Sequence, residues 1–378
     1  MTVQDPRLKF PQKVPPRTNT VAPEADIRIN HIVNQWPQDV AFSDIWEASA
    51  REHVLENKPT EHALNKRREK SATSKLEPTS NDSQIPIILI QRGNTTFHGL
   101  TSQNPLSNAE VLEGWTLILP RGWGNAFWKS FVFAGARTGG FENIRQMQFE
   151  SGFGCYPFDF PGTKAYENFR AQLKKSLEIE WSQKPPAKRV NHTKLGVDHP
   201  FEAAFEYLGG NVEDTKCWLL QGERLISTFL DGGEAQMRLA METMLSKRGI
   251  QCPQFRLEDA LFKVRVTYLD RRKPMVNAMV YLVEDQKEYN SYASHQKASK
   301  KSVAQNIYTH GRKHIGYLTN GGFSLTTGCG FGVGACTITG VRAMRDIDQR
   351  QKRKVKMMVL VQNPNSVEGW PAQLEILG

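Results

Sequence analysis

The residues best equipped to meet a polyanion lie in four places. Trp115, Trp123, Phe127, Trp128, Phe131 and Phe133 form the densest aromatic cluster of the chain, with Arg121, Lys129 and Arg137 among and beside them. Rings interleaved with cations can stack on unpaired bases while holding phosphates. The same rings can equally fill a core, and a chiefly structural role is expected for Trp123 and Trp128. Lys263 and Arg265 alternate with apolar residues, and Arg271, Arg272 and Lys273 follow as an uninterrupted basic triplet. A last cluster, Lys352, Arg353 and Lys354 with Lys356 beyond, sits in a run from Arg345 that also holds Asp346 and Asp348. Such a run also fits a nuclear import signal. The candidate nucleic-acid-binding set is therefore Arg121, Trp123, Lys129, Arg137, Lys263, Arg265, Arg271, Arg272, Lys273, Lys352, Arg353 and Lys354. Within it the 271–273 triplet is expected to matter more for binding than 352–354, and the latter more for nuclear entry.

Catalytic chemistry finds no comparable support. Gly330, Gly332 and Gly334 resemble a phosphate loop, but no Walker Lys-Ser/Thr pair and no helical pattern follow. His310 and His314 are four apart without a third ligand nearby, so both are expected to face solvent. Neither Gly-x-Ser-x-Gly nor His-Glu-x-x-His occurs. The five cysteines are scattered without a Cys-x-x-Cys pair, which speaks against a disulfide framework and a zinc site. No metal and no cofactor are implied.

The chain has 378 residues and a formal charge of +10, and the charge is unevenly placed. Residues 1–85 hold 12 basic and 12 acidic side chains, 86–190 hold 12 and 8, 191–260 hold 7 and 11, and 261–378 hold 18 and 8. The last third therefore carries a positive field that raises the local concentration of polyanions, with an ordinary solvated surface as the alternative. Hydrophobic residues at 39% exclude wholesale disorder. The best apolar stretch, 126–136, is far short of the ~20 residues a membrane span needs and contains Lys129. With no basic n-region or apolar h-region at the start, an intracellular protein is expected.

The elements that must position these residues follow from pattern. Residues 1–41, with little apolar periodicity, read as an extended, disordered arm, and 42–84 as a helical lead-in with a polar connector. In that lead-in, one helix runs from the Ser43 cap to before Pro59, and a second covers Thr60–Lys70. Residues 85–190 read as one module: a buried strand over Ile85–Ile90, another over Trp115–Leu119, a helix from Asn125, and a long helix over Thr163–Lys184 ended by Pro185 and Pro186. Residues 191–378 read as a β-rich domain. There Phe262–Tyr268 alternates apolar and polar or basic residues and is expected to form a hairpin with Met275–Val283. Strands resume at Ile315, Thr337 and Val355, and residues 286–301 read as a mobile loop. The fold class is α+β.

The run Gly114–Trp128, read Gly-Trp-Thr-Leu-Ile-Leu-Pro-Arg-Gly-Trp-Gly-Asn-Ala-Phe-Trp, is distinctive. With Gly135–Arg137 and Tyr156–Pro161 it resembles the POPLD module of the largest protein subunit of eukaryotic ribonuclease P and ribonuclease MRP. Ile315–Ser324, Gly332–Gly334 and Val359–Asn363 are similar to the C-terminal barrel of the aminomethyltransferase (glycine cleavage T-protein) superfamily, which that subunit shares. The resemblance implies a POPLD α/β module followed by such a barrel. It also implies a longer family protein with a further basic N-terminal half, so that this sequence reads as a fragment or a truncated gene model. It further implies a non-catalytic RNA-binding scaffold, for which the candidate residues above become an RNA-binding set, and not an enzyme by itself. The expected partners are ribonuclease P RNA, ribonuclease MRP RNA and other protein subunits of those particles, with precursor tRNA met indirectly. Their work is precursor tRNA 5′ leader removal and precursor rRNA processing in the nucleus and nucleolus. The rival readings are a folate- or tRNA-linked one-carbon transferase on the same barrel, and an adaptor whose basic face meets an acidic protein.

Overall fold

The computed structural model describes residues 1–9, 42–71, 75–92, 114–151, 154–208, 216–252, 254–295, 307–325, 328–354 and 357–378. The described residues form two compact units, divided between Glu142 and Asn143. The division falls inside the stretch 85–190 expected to be one module, and the expected boundary near 190 lies within the second unit.

In the first unit, β1 (Thr2–Gln4) pairs antiparallel with a later strand, Val3 opposite Ile85. Residues 1–9 are thus not a coreless arm: Leu8 is buried with Leu64 and Leu76, and the buried Arg7 pairs with Asp5 at 2.7 Å. Residues 10–41 lie outside the described residues. Ser43 caps a 3-10 turn at Asp44–Trp46, and Glu47 then adopts extended backbone, so α1 starts only at Ala48 and covers Ala48–Glu56. α2 (Glu61–Glu69) is capped by Thr60, whose hydroxyl accepts the Ala63 N–H. The apolar run 85–90 is divided between β2 (Gln84–Pro86), the partner of β1, and β3 (Ile88–Arg92), which pairs with β4 (Gly114–Ile118). α3 (Gly124–Phe133) follows. The core of this unit is Ile85, Ile87, Trp123, Ala126 and Phe127.

α4 (Phe141–Glu150) spans the division, and α5 (Lys164–Gln183) is capped by Thr163, whose hydroxyl accepts the Tyr166 N–H. β5 (Trp218–Leu220) and α6 (Glu223–Ser246), kinked at Gly233, precede the strands β6 (Ala260–Tyr268) and β7 (Met279–Leu282). Then come α7 (Gln286–His295), β8 (His314–Ser324), β9 (Cys329–Thr337), α8 (Ile338–Arg350), β10 (Met358–Gln362) and β11 (Gly369–Ile376). Six of these strands close an antiparallel barrel in the order β11-β10-β7-β8-β9-β6, shut by β11 against β6, with β5 added parallel on β6. One face of the strands buries Phe262, Val264, Val280, Val359 and Leu374 with Phe229 of α6 and Met344 of α8. The opposite face places Tyr281, Tyr317 and Leu360 against Tyr166, Phe205 and the α7 tyrosines.

Three expectations about the barrel are corrected. β6 and β7 do not form a hairpin: β6 pairs with β9 and β11, β7 with β8 and β10, because residues 269–278 cross from one side of the barrel to the other instead of reversing. Residues 286–295 are a helix and not a loop, anchored by the buried rings of Tyr289 and Tyr292; 296–306 lie outside the described residues. Thr337 ends a strand and caps α8, its hydroxyl accepting the Gly340 N–H at 3.1 Å. Among the described residues no helix is long and apolar enough to cross a membrane.

Candidate nucleic-acid interface

In the first unit the chain leaves β4 through Pro120 and Arg121 and turns at Gly122, whose φ of +87° suits glycine. That turn drives Trp123 into the core, fully buried, where its indole N–H donates to the Val54 carbonyl at 3.1 Å. Lys58 and Arg7 lie 5.2 and 5.5 Å from its ring centre. Phe127, one turn on, is the other buried ring. The remaining aromatics face outward: Trp115 is 58% exposed, Trp128 52%, Phe131 43% and Phe133 59%. The expectation that Trp128 is chiefly structural therefore fails, and only Trp123 and Phe127 of the cluster are core. Arg121, Lys129 and Arg137 are all exposed on this unit. Lys129 is close enough to act on Glu61. Partial burial raises that carboxyl, but the hydrogen bond and charge of Arg7, helped by Lys129, hold it below its ordinary range. Exposed rings and exposed cations are thus carried by the same unit, the combination sought in a candidate interaction surface.

In the second unit the triplet Arg271–Lys273 lies on the 269–278 connection, which is clamped. The Asn363 amide accepts the Met275 N–H at 2.8 Å and donates to the Lys273 carbonyl at 3.2 Å. Asp270 accepts the Arg272 N–H at 3.0 Å, and the Arg272 guanidinium lies over the Trp370 ring. Beneath runs a glycine stripe. A Cβ at Gly330 would meet the Arg272 carbonyl oxygen at 1.7 Å, and one at Gly321 the Pro274 oxygen at 2.3 Å. The alternating glycines of 330–334, rejected as a phosphate loop, thus admit close backbone approach. Arg271 and Lys273 stay exposed on this fixed backbone. Sequence reasoning missed Asn363, Trp370 and the role of the glycines; period-two glycine spacing within a strand was the available signal.

Other candidates are withdrawn from the surface by burial. Lys263 points its ammonium at the Phe160 ring, 4.6 Å away, and burial lowers its pKa against the opposing charge of Asp159. Asp159 is itself buried, which raises its carboxyl although Thr319 donates to it at 2.6 Å and the Cys155 N–H at 2.7 Å. Arg265, only 3% exposed, stands across from Glu375 and 4.7 Å from the Phe331 ring. The alternating basic side chains of β6 therefore form no solvent face. Arg353 is also buried: it donates to the Val283 carbonyl at 2.9 Å and the Glu284 carbonyl at 3.2 Å, and sits 3.5 Å from Asp348. It staples the end of α8, while Lys352 and Lys354 remain exposed.

The expected solvent-facing histidine pair is half corrected. His310 is exposed, but His314 packs against Tyr281 and Tyr317, and burial lowers its imidazole to about 4. Among the described residues no group of three or more His, Cys, Asp or Glu side chains is placed to hold a metal ion.

Two family models match the sequence: the POPLD (NUC188) domain over residues 114–205 and the POP1 C-terminal domain over 284–378. They stand in that order on one chain, and the curated relatives carry a single kind of name. A human protein named Ribonucleases P/MRP protein subunit POP1 is 33% identical over 216 residues, 55% of this chain. Both matched stretches are similar to the POP1 family. A Caenorhabditis elegans relative, Ribonucleases P/MRP protein subunit popl-1, is 24% identical over 286 residues, and a Schizosaccharomyces pombe family member of the pop1 name is 34% identical over 109. The matched stretches cover 20%, 34% and 16% of those three proteins, so the chain spans about a third or less of the relatives it matches. Those relatives are named as ribonucleases P/MRP protein subunits, and none of them carries the name of a one-carbon transferase. The POPLD match itself bridges the division between the two units: its start supplies β4 and the exposed aromatic helix, its end the segment that packs on the barrel.

Proposed function

We propose that this chain is an RNA-binding, non-catalytic subunit of ribonuclease P and ribonuclease MRP particles. It would clamp and order their RNA during precursor tRNA 5′ leader removal and precursor rRNA processing. The observation that carries the reading is the ordered pair of POPLD and POP1 C-terminal matches on one chain, with relatives named as subunits of both particles. The geometry supports it: exposed rings of Trp115, Trp128 and Phe131 suit unpaired bases, and the clamped Arg271 and Lys273 suit phosphates, which fix position more than sequence. In this reading cleavage belongs to the RNA of the particle, further protein subunits dock beside it, and the chain acts in the nucleus and nucleolus. Crosslinking the tagged chain in cells and sequencing the attached RNA tests it. Recovery of one structured noncoding RNA, with the chain accumulating in the nucleus, is the expected result; a diffuse messenger RNA background or none would refute it.

A further inference from the structure

One cleft of the second unit belongs to neither candidate surface. It encloses about 560 Å³, within the ~300–1,000 Å³ typical of small-molecule sites. Its lining includes Lys194, Tyr281, Tyr308, His310, Arg312 and Gln362, and no carboxylate.

The walls are built rather than incidental. Tyr308 is bridged through its backbone to Glu368, and the Gly369 N–H donates to the Ile307 carbonyl at 2.7 Å. The turn that follows is closed by the Arg312 N–H on the Thr309 carbonyl at 3.1 Å, with Gly311 at φ +76°. Beneath it the buried Thr309 hydroxyl donates to the Gln362 side chain, whose amide donates to the Ser366 carbonyl at 2.7 Å. The opposite wall, the turn 193–196, is held to the 363–367 loop by His192 Nδ1, 3.2 Å from the Pro364 carbonyl oxygen. Tyr308 is nevertheless 56% exposed on this hydrogen-bonded backbone, so its ring face is accessible.

The charges point the same way. Glu288 is taken up by Arg312 through paired contacts of 2.7 Å. Burial, against a Thr309 hydrogen bond and with a smaller push from the charge of Asp198, holds the Tyr281 phenol up to about 12. Lys194, exposed on the opposite wall, lines the same cleft as Tyr308 and His310. A flat ring, a lysine and polar donors around a cleft without lining carboxylates suit a planar base joined to a phosphate.

We infer that this cleft binds a phosphorylated nucleoside, its base stacked on Tyr308 and its phosphate met by Lys194. The ligand can come as a free mononucleotide or as one unpaired nucleotide of an RNA strand; the second form rests on the RNA-binding role proposed above, the first does not.

The test titrates the full chain with adenosine 5′-monophosphate and with a 5′-phosphorylated hexa-adenylate, and photolabels it with 8-azidoadenosine 5′-monophosphate. Tyr308→Ala is expected to weaken one or both probes roughly 5- to 150-fold, the range for loss of one stacked base, with Tyr308→Phe near the parent. Lys194→Glu is expected to weaken them and flatten the salt dependence, and the label to map to residues 307–312. Unchanged melting confirms that these surface variants fold. Loss of hexa-adenylate binding alone assigns the site to RNA, and loss of mononucleotide binding alone to the free ligand. If the chain takes up no RNA of any kind while the mononucleotide still depends on Tyr308, the proposed scaffold role fails and the cleft stands. Equal affinities for parent and Tyr308→Ala, label elsewhere, or no saturable binding of either probe overturns the inference.

Discussion

Trp123 and Trp128 are five residues apart in one aromatic cluster, yet replacing them should have opposite consequences. Trp123 has no exposed surface, so Trp123→Ala removes a fully buried indole and should destabilise the first unit by about 3–5 kcal/mol. Part of that loss is specific. Val54 belongs to the last turn of α1, whose carbonyls have no partner within the helix, and the Trp123 indole supplies one. Trp123→Phe keeps most of the ring but leaves that carbonyl unsatisfied, so about 1–3 kcal/mol should still be lost. A domain is commonly stable by only ~5–15 kcal/mol, so the alanine variant approaches unfolding of its unit. Trp128 is half exposed; Trp128→Ala should leave stability nearly unchanged and weaken RNA binding by about 1–3 kcal/mol if a base stacks there. Hydrogen exchange read at the amides of α1 and α3 separates the first unit from the barrel, and a filter-binding titration reports affinity. Normal protection in Trp123→Ala, or collapsed protection in Trp128→Ala, would refute the argument from burial.

Reversing Arg271 and Lys273 to Glu should weaken structured-RNA binding several-fold and reduce the salt slope by roughly 0.7–0.9 per lost phosphate contact, more than reversing Lys352 and Lys354 does; equal losses in a side-by-side titration would count against the clamped-loop argument. Arg353→Ala should instead lower the melting temperature of the barrel unit, since it empties a buried site that carries several hydrogen bonds. Gly330→Ala should displace the Arg272–Pro274 backbone, costing about 1–3 kcal/mol and part of the RNA affinity together; an unaltered melt would show that the connection is not seated on β9. His314 should make the second unit acid-sensitive. Its folded imidazole titrates near 4 and an unfolded one near 6.5, so the unfolded chain binds the extra proton and up to about 3 kcal/mol of stability is lost as pH falls through that window. Asp159 and Glu167, both raised by burial, favour the folded state as pH falls, so the check is the difference between parent and His314→Gln from pH 4 to 8, which should shrink on the acid side.

Helix starts at Thr60 and Thr163 were the most legible part of the sequence, because these caps are local signals that act through the next few N–H groups, whereas Ser43 caps only a 3-10 turn ahead of its helix. The alternation of Phe262–Tyr268 gave the strand but misassigned its second face, since Lys263 and Arg265 look solvated until Phe160, Asp159 and Glu375 are brought to them from far along the chain. Strand pairing failed for the same reason: a basic tripeptide between two strands resembles a turn, and nothing local says that each strand finds its neighbours elsewhere. α8 was missed although Ile338, Val341, Met344 and Ile347 recur at helical spacing, because Ala335–Thr337 before them continues a real strand. Of the candidate site, Arg121, Lys129, Arg137, Arg271 and Lys273 are exposed on the units that carry them; burial of Trp123, Arg265 and Arg353 depends on tertiary contacts that composition does not encode.

The closure of the barrel by β11 governs how this protein can be made. β6 is translated about a hundred residues before the strand that covers its edge, with Val264 waiting for Ile376 and Tyr268 for Ala372. Until then both β6 and β10 present open hydrogen-bonding edges, and pairing of such distant segments is slow. The barrel therefore completes only after residue 376 has left the ribosome. A nascent chain stalled a few codons early is not a slightly shorter barrel but an opened one with two adhesive edges, for which chaperones and proteases compete.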